Sequence, residues 1–346
     1  MYTENRYSAQ RYPMQFTGTG SEYFRIWIVN IAFTLLTLGI YSAWAKVRTK
    51  HWFYGHTLLD NQRFAYHAKP LQILKGRIIA LVFFGGYSLS ARYSPATAFP
   101  IMAILLFTAM PWIIVTSLKF NAHNSSYRGI RFGFTGRVGE AITYYMWLPL
   151  LVVFTAGLAY PYMVYRQTQF ITSHYQYGQT SVQFNSTAKP FWIIYMVGLI
   201  LPIISLIIGM ILALHLAPSV NGISKIEYQG IGVFCFYLFL PLFGSYIGSR
   251  TANLIYNNSH LGSVSFESSQ RARDLIWLYV SNFILIVITW GLFIPWAKVR
   301  MMKYRANHLQ LHSTERLENF TAGVSEAVAA TGVEMADTFG LDIALV

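Results

Sequence analysis

The stretch EYFRIWIVNIAFTLLTLGIYSAWAKVRTKHWFYGH, residues 22–56, decides how the rest of the chain is read. Within it Glu22, Gly39, Trp44, Arg48 and His56 stand 17, 5, 4 and 8 positions apart. Glu140, Gly157, Tyr162, Arg166 and His174 keep the same separations, and so do Asp274, Gly291, Trp296, Arg300 and His308. The offsets between copies are 118 and 134, and two copies share the string WAKVR at 44–48 and 296–300. A fixed spacing over that distance marks a duplicated structural unit. Each copy covers an apolar stretch near the ~20 residues that a bilayer core requires of a helix, so the repeat reads as a repeat of transmembrane helices.

Composition agrees. The chain is 54% hydrophobic and 11% charged, against about 25% charged in soluble domains. The formal charge of +13 raises nucleic acid as a partner, but the Lys and Arg flank apolar spans, which points to orientation and to anionic lipid headgroups. No nucleic-acid partner is expected. The one cysteine, Cys235, lies in an apolar run and excludes an internal disulfide or a CxxC motif. The first twenty residues hold no apolar core, so no cleavable signal is expected and the first helix is read as the insertion signal.

Seven spans follow, at 22–45, 72–92, 97–118, 140–165, 191–216, 230–254 and 274–297. The expected fold is an all-α integral membrane protein of three-helix repeats. Residues 1–133 form the first repeat, 134–265 the second, 266–318 a partial third and 319–346 an acidic tail. Three is odd, so the second repeat is expected upside down relative to the first. Segments assigned to the inner side hold 17 of the 26 Lys and Arg, which places the N-terminus in the periplasm and the C-terminus in the cytoplasm. Short alternating segments ending on Phe or Tyr, such as 62–66, 130–134 and 181–184, follow turn residues (Asp60-Asn61, Arg128-Gly129, Gly178). They read as small β-hairpins or single strands at the membrane surface, too short to stand alone and therefore expected to pair with one another.

The string HTLLDNQRFAYHAKPLQILKGR at 56–77, together with GLFIPWAKVRMMKYRANHL at 291–309 and the short acidic tail, resembles the YjgN-like bacterial inner-membrane protein family over essentially the whole chain. The resemblance implies a multi-pass protein of the bacterial inner membrane, with no catalytic residues to carry over.

Glu22, Glu140 and Asp274 begin helices and Arg48, Arg166 and Arg300 end them, as the helix dipole favours. Inversion is expected to set Glu140 beside Arg48 and Arg300. Lys46, Arg48, Lys50, Lys298, Arg300 and Lys303 are the candidate headgroup-binding cations. Asn30 and Asn282 occupy equivalent mid-helix positions where the second copy has Leu148-Pro149. They read as interhelix hydrogen-bonding residues or as a shared polar midplane site, with Pro149 a candidate helix break at that depth. Ser205, His215 and Ser245 are other polar groups in the spans. His56, His174 and His308 share one repeat position, but without a Cys or Asp pattern they are not expected to bind metal. No nucleophile elbow, P-loop, HExxH or paired-carboxylate motif appears, so neither catalysis nor a cofactor is expected. The leading expectation is a transporter or channel-like protein for a small solute, by analogy with inverted-repeat folds. The alternative is a non-transporting scaffold that binds anionic lipid or an envelope partner through its basic cytoplasmic face.

Overall fold

The computed structural model describes residues 10–216, 242–321 and 324. Its centre is a closed ten-stranded antiparallel barrel, which overturns the all-α expectation. The strands are β1 (Gln10–Phe16), β2 (Thr57–Leu59), β3 (Gln62–Tyr66), β4 (Ser125–Tyr127) and β5 (Ile130–Phe134), then β6 (Tyr175–Tyr177), β7 (Thr180–Phe184), β8 (Ser259–Leu261), β9 (Val264–Ser268) and β10 (Leu309–Ser313). Four two-residue turns join neighbouring strands. Asp60 and Asn61 (φ 49° and 57°), like Arg128 and Gly129 (φ 48° and 80°), take two successive left-handed conformations, the geometry of a type I′ hairpin whose twist matches that of its strands. The seven-residue β1 closes the barrel. Its first half pairs with β10 (Gln10↔Ser313) and its second half with β2 (Phe16↔Thr57).

Helices leave the barrel and return to it as pairs. The first pair is α1 (Gly20–Leu36) and α2 (Ser42–Gly55), and the second is α3 (Pro70–Tyr93) and α4 (Pro95–His123). In the third, α5 (Val138–Ile142) runs through a π-helical turn (Thr143–Trp147) into α6 (Leu148–Phe154), and α7 (Tyr160–His174) returns. The fourth comprises α8 (Ala188–Leu216) and α9 (residues 242–257). The fifth is α10 (Ala272–Ile288) and α11 (Ile294–Asn307). One hydrogen bond recurs at the foot of all five pairs, from the residue just after the outgoing strand to the end of the returning helix. These are Thr17 N to His56 O (3.0 Å), His67 N to Asn124 O (2.8 Å), Thr135 N to His174 O (3.0 Å), Asn185 N to Asn258 O (2.8 Å) and Ser269 N to His308 O (3.0 Å). The protein is thus a five-fold pseudo-repeat of strand–helix–helix–strand, and the spacing repeat marks its first, third and fifth units.

This architecture corrects the span count. Segments 22–45, 140–165 and 274–297 are not single helices. Each reverses within its apolar stretch, at residues 37–41, 155–159 and 289–293. Among the described residues three helices are long and apolar enough to cross a membrane: α3, α4 and α8 over Ala188–Ile211. The expected span 230–254 lies partly outside the described residues. Inversion fails as well. All helix pairs stand on one barrel, so the second copy runs parallel to the first and Arg48 and Arg166 belong to equivalent returning helices. Glu140 pairs with His174 instead of Arg48 or Arg300. Residues 10–13 pair with 310–313, so these two segments, expected on opposite sides, lie side by side on the barrel.

The barrel is filled. Leu59, Tyr127, Tyr177, Leu261 and Leu311, each the third residue of an even-numbered strand, are buried with Ile130 and Val264. Eight strands enclose a space that side chains alone fill. Ten enclose more, and the extra room is taken by large rings and by Leu317, Phe320 and Val324 of the C-terminal segment, which pack into the same cluster. The tyrosine hydroxyls are satisfied across the barrel: Tyr177 donates to Tyr127 O (2.9 Å) and Tyr127 to Leu59 O (2.8 Å). The residues that end β1 and β5 pack outside this cluster, between helix feet. Phe16 meets Trp52 edge-on at 5.8 Å and Phe134 meets Phe170 in the same way at 5.8 Å. The repeated Phe-Thr-Gly follows from this. A Cβ on Gly18 or Gly136 would stand 2.6 Å or 2.5 Å from those ring atoms.

Candidate lipid-facing site

In two of its three copies the ends of the spacing repeat meet in space. At the foot of the first hairpin Glu22 Oε2 lies 3.9 Å from His56 Nε2, and in the third Glu140 Oε2 lies 3.1 Å from His174 Nε2. The repeat histidines are pinned from the other side too. Nδ1 of His56, His174 and His308 hydrogen-bonds the carbonyl four residues earlier, Trp52, Phe170 and Tyr304, at 2.8, 2.7 and 2.8 Å. Both ring nitrogens of His174 are therefore engaged in structure, while at His56 the second nitrogen only approaches its carboxylate. Glu22 also closes a capping box with Thr19, and hydrogen bonds from Thr19 hold its carboxyl below the ordinary range, with His56 and Arg25 adding to the effect.

Asn30 and Asn282 are both buried, and each is hydrogen-bonded inside its own hairpin. Asn282 Oδ1 accepts from Arg300 Nη1 at 2.7 Å, and Arg300 Nη2 reaches Ser281 Oγ at 3.1 Å. Arg300 is thereby turned into the hairpin as a structural clamp. Asn30 has only long contacts, Nδ2 to Ala45 O at 3.4 Å and to Thr49 Oγ1 at 3.5 Å. Its Oδ1 is buried without a partner, a state that costs free energy when no donor arrives. In the second copy Pro149 does not unwind the helix. It sits just past the π-turn, in which N–H groups reach back five residues. The N–H due at Tyr144 O would come from position 149, and proline has none. Gln167 Nε2 on α7 supplies the bond instead, at 2.9 Å.

Asn30 opens on a groove of about 440 Å³ between α1, α2 and the start of α11. Lys46, Lys50 and Lys298 line it with Tyr23, Trp27 and Thr34. The fold thus gathers three of the six candidate cations. Arg48 and Lys303 are outside the lining, and Arg300 is committed to Asn282. Lys46 and Lys298 are exposed. Lys50 sits deeper, bonded to Asn121 Oδ1 on α4 and 4.7 Å above the Tyr66 ring. Burial, with Lys46 adding, holds its ammonium below the usual lysine range, and burial pushes the Tyr66 phenol up to about 12. Ser245 is fully buried. The side chains of Ser205 and His215, and all of Cys235, lie outside the described residues.

Sequence reasoning missed Asn121, and Arg77, which donates to Ser42 Oγ at the start of α2. Both come from the second helix pair, a unit that does not carry the spacing repeat, and no spacing links them to α2.

Residues 11–338 match a family described as bacterial protein of unknown function (DUF898), and the chain belongs to that family. It is 25% identical over 353 residues to the inner membrane protein YjgN of Salmonella typhimurium strain LT2, covering 87% of this chain and 88% of that protein. Inner membrane protein YjgN of Escherichia coli O157:H7 and of Escherichia coli K12 are each 24% identical over 156 residues, 45% of this chain and 39% of theirs. No solved structure matches the chain.

Proposed function

We propose that this member of the family is an inner-membrane scaffold that binds anionic phospholipid in the groove of Asn30, Lys46, Lys50 and Lys298. The groove carries the reading. Two exposed lysines from different hairpins converge where a phosphate can reach both, a third stands behind them, and the unpartnered Asn30 Oδ1 offers an acceptor to a headgroup hydroxyl. Each lysine close to an anionic surface contributes about 1 kcal/mol. Relatives named as inner membrane proteins support the location. The placement of cations supports a cytoplasmic barrel with both chain ends beside it. Arg92 is the one described Lys or Arg near the far tip of a long hairpin; the others lie on the barrel, at its hairpin feet, on the returning helices or, as Arg25, Lys75 and Arg77 do, in the barrel-side half of an outgoing helix.

Transport was favoured by inverted repeats, and the parallel arrangement removes that support. Among the described residues the barrel interior is likewise taken up by packed side chains. The deciding experiment compares binding of the purified protein to phosphatidylglycerol–phosphatidylcholine vesicles and to phosphatidylcholine vesicles, for the natural chain and for Lys46→Gln with Lys298→Gln. Loss of two lysines should weaken the phosphatidylglycerol preference by roughly thirtyfold, at about 1 kcal/mol each. An unchanged preference overturns the groove, and solute flux through proteoliposomes would restore transport.

A further inference from the structure

We infer that the three short hairpins, α1–α2, α5–α7 and α10–α11, are re-entrant: they enter the leaflet on the barrel side tip first, end near the bilayer midplane and return. The partner of their tips is the acyl-chain layer of that leaflet. The inference needs a bilayer and no particular headgroup, so it stands or falls apart from the anionic-lipid reading.

The tips are apolar and bare. Leu38, Phe154 and Trp290 are 94%, 84% and 96% exposed. Leu38, Ala156 and Trp290 occupy equivalent places with φ of 50°, 49° and 50°. A left-handed conformation costs a non-glycine residue about 1–2 kcal/mol. In water, nothing is gained by spending that on a fully exposed leucine or tryptophan. In acyl chains the apex side chain is where an apolar group belongs.

The backbone at each tip is closed upon itself, as hydrocarbon demands of any irregular segment. Each outgoing helix ends in the paired bonds of a Schellman motif. In the first tip these are Gly39 N to Thr34 O (2.7 Å) and Leu38 N to Leu35 O (3.1 Å), and the other tips repeat them through Gly157 and Gly291. These three glycines have φ of 93°, 90° and 89°. A threonine then locks each turn. Thr37 Oγ1 donates to Phe33 O (2.7 Å) and accepts from Tyr41 N (2.9 Å). Thr155 does the same between Leu151 O (2.8 Å) and Ala159 N (3.1 Å), as does Thr289 between Leu285 O (2.6 Å) and Phe293 N (3.0 Å).

Charge sets the depth. On the returning helices the first cations are Lys46, Arg166 and Lys298, seven, nine and seven residues past the tip glycine. At 1.5 Å per residue they stand roughly 10–13 Å from the tip. A hairpin crossing the ~30 Å core would leave them near its centre, where charge is most costly. A tip at the midplane, ~15 Å down, leaves them within snorkelling distance of the headgroups. Arg77 of α3, whose guanidinium reaches Ser42 Oγ just past the first tip, is half-buried and hydrogen-bonded there between two hairpins, as a charge at that depth must be. The hairpin α3–α4 contrasts with this. Its helices have 24 and 29 residues, roughly 36 and 44 Å at that rise, and its tip is polar, with Ser90, Arg92 and Ser94.

The test uses the full chain with Cys235→Ser, reconstituted in vesicles, carrying one new cysteine at Leu38, Ala156 or Trp290. Gln10→Cys and Ser94→Cys report the barrel side and the far side. The tips should resist a membrane-impermeant maleimide from either side. A nitroxide there should be accessible to oxygen and shielded from water-soluble nickel chelate, at a depth of roughly 10–15 Å. Labelling from the far side would make the hairpins spanning, and labelling from the barrel side would leave them in water; either overturns the inference. If a label at one tip prevents folding, the other two report the same depth, and Cys235→Ala replaces a background that fails.

Discussion

The Nε2 atom of His174 lies 3.1 Å from the carboxylate of Glu140, although the two residues bracket an apolar stretch of membrane-spanning length. The same approach at Glu22 and His56, 3.9 Å, shows that such a stretch must fold back on itself. With an acid at the start of the outgoing helix and a histidine at the end of the returning one, the pair joins the two helices at the hairpin's foot. What makes all five feet equivalent is the backbone bond from the residue after each outgoing strand to the end of the returning helix.

The β1–β10 pairing predicts that both ends of the described chain face one compartment. Cysteines introduced at Gln10, Asp60, Gly178 and Gln310 should react with an impermeant maleimide from the same side, and one at Ser94 from the other. Opposite-side labelling of 10 and 310 would break the β1–β10 pairing and the barrel with it.

Gln167 and Pro149 should be coupled. Gln167→Leu leaves Tyr144 O without its 2.9 Å donor, at a cost of about 1–3 kcal/mol for an unsatisfied buried carbonyl. Pro149→Ala restores a backbone N–H in the π register, so the double variant should recover most of the loss in thermal stability. Strictly additive effects in the double-mutant cycle would refute the compensation.

The C-terminal plug should stabilise the barrel. Leu317 is 3% exposed within the barrel cluster, and Leu317→Ala should lower stability by about 2–5 kcal/mol, as buried leucine truncations do. Tyr177→Phe removes one internal hydrogen bond and should cost about 1 kcal/mol. Unfolding in detergent monitored by circular dichroism measures both; unchanged midpoints would place the tail outside the barrel.

An acid-sensitive contact joins β9 to β10. The Glu267 carboxyl is held below its usual range chiefly by the hydrogen bond from His312 Nε2 at 2.5 Å, and Gln310 Nε2 contributes at 2.8 Å. A depressed carboxylate adds stability above its unfolded pKa, near 4.3, and loses it as pH falls through the lower folded value. The site is exposed, so the contribution stays within about 1 kcal/mol. Glu267→Gln should flatten the acid limb of the stability–pH curve by that amount. An identical curve would leave the contact without energetic weight.

Much of the local structure was legible in order along the chain. Asp60-Asn61 and Arg128-Gly129 announce hairpins because only turns with left-handed backbone use such pairs so readily, and the alternation around them marks strands. The same reading failed at Thr37-Leu38-Gly39. That turn is built of apolar residues, its polar groups satisfied by a threonine and by the preceding helix, so it carries none of the marks of a surface loop and merges with its helices into one apparent span. Once that reversal is missed, parity turns a parallel repeat into an inverted one. In the groove, the sequence singled out Asn30, Lys46, Lys50 and Lys298 but had no means of bringing them together.

By itself, then, the sequence determined the repeat, its membrane character, the strand segments and the residues marked for polar or basic roles, because each is a matter of composition, period or spacing. Tertiary structure alone decided that the strands close into a single barrel, that Gln10 meets Ser313, and that Lys298 comes to the groove of Lys46 and Asn30. Strands of three to seven residues hold too few bonds to specify partners locally. Their pairing is selected by the joint burial of Leu59, Tyr127, Tyr177, Leu261 and Leu311 in one interior, which exists only once all five units have assembled.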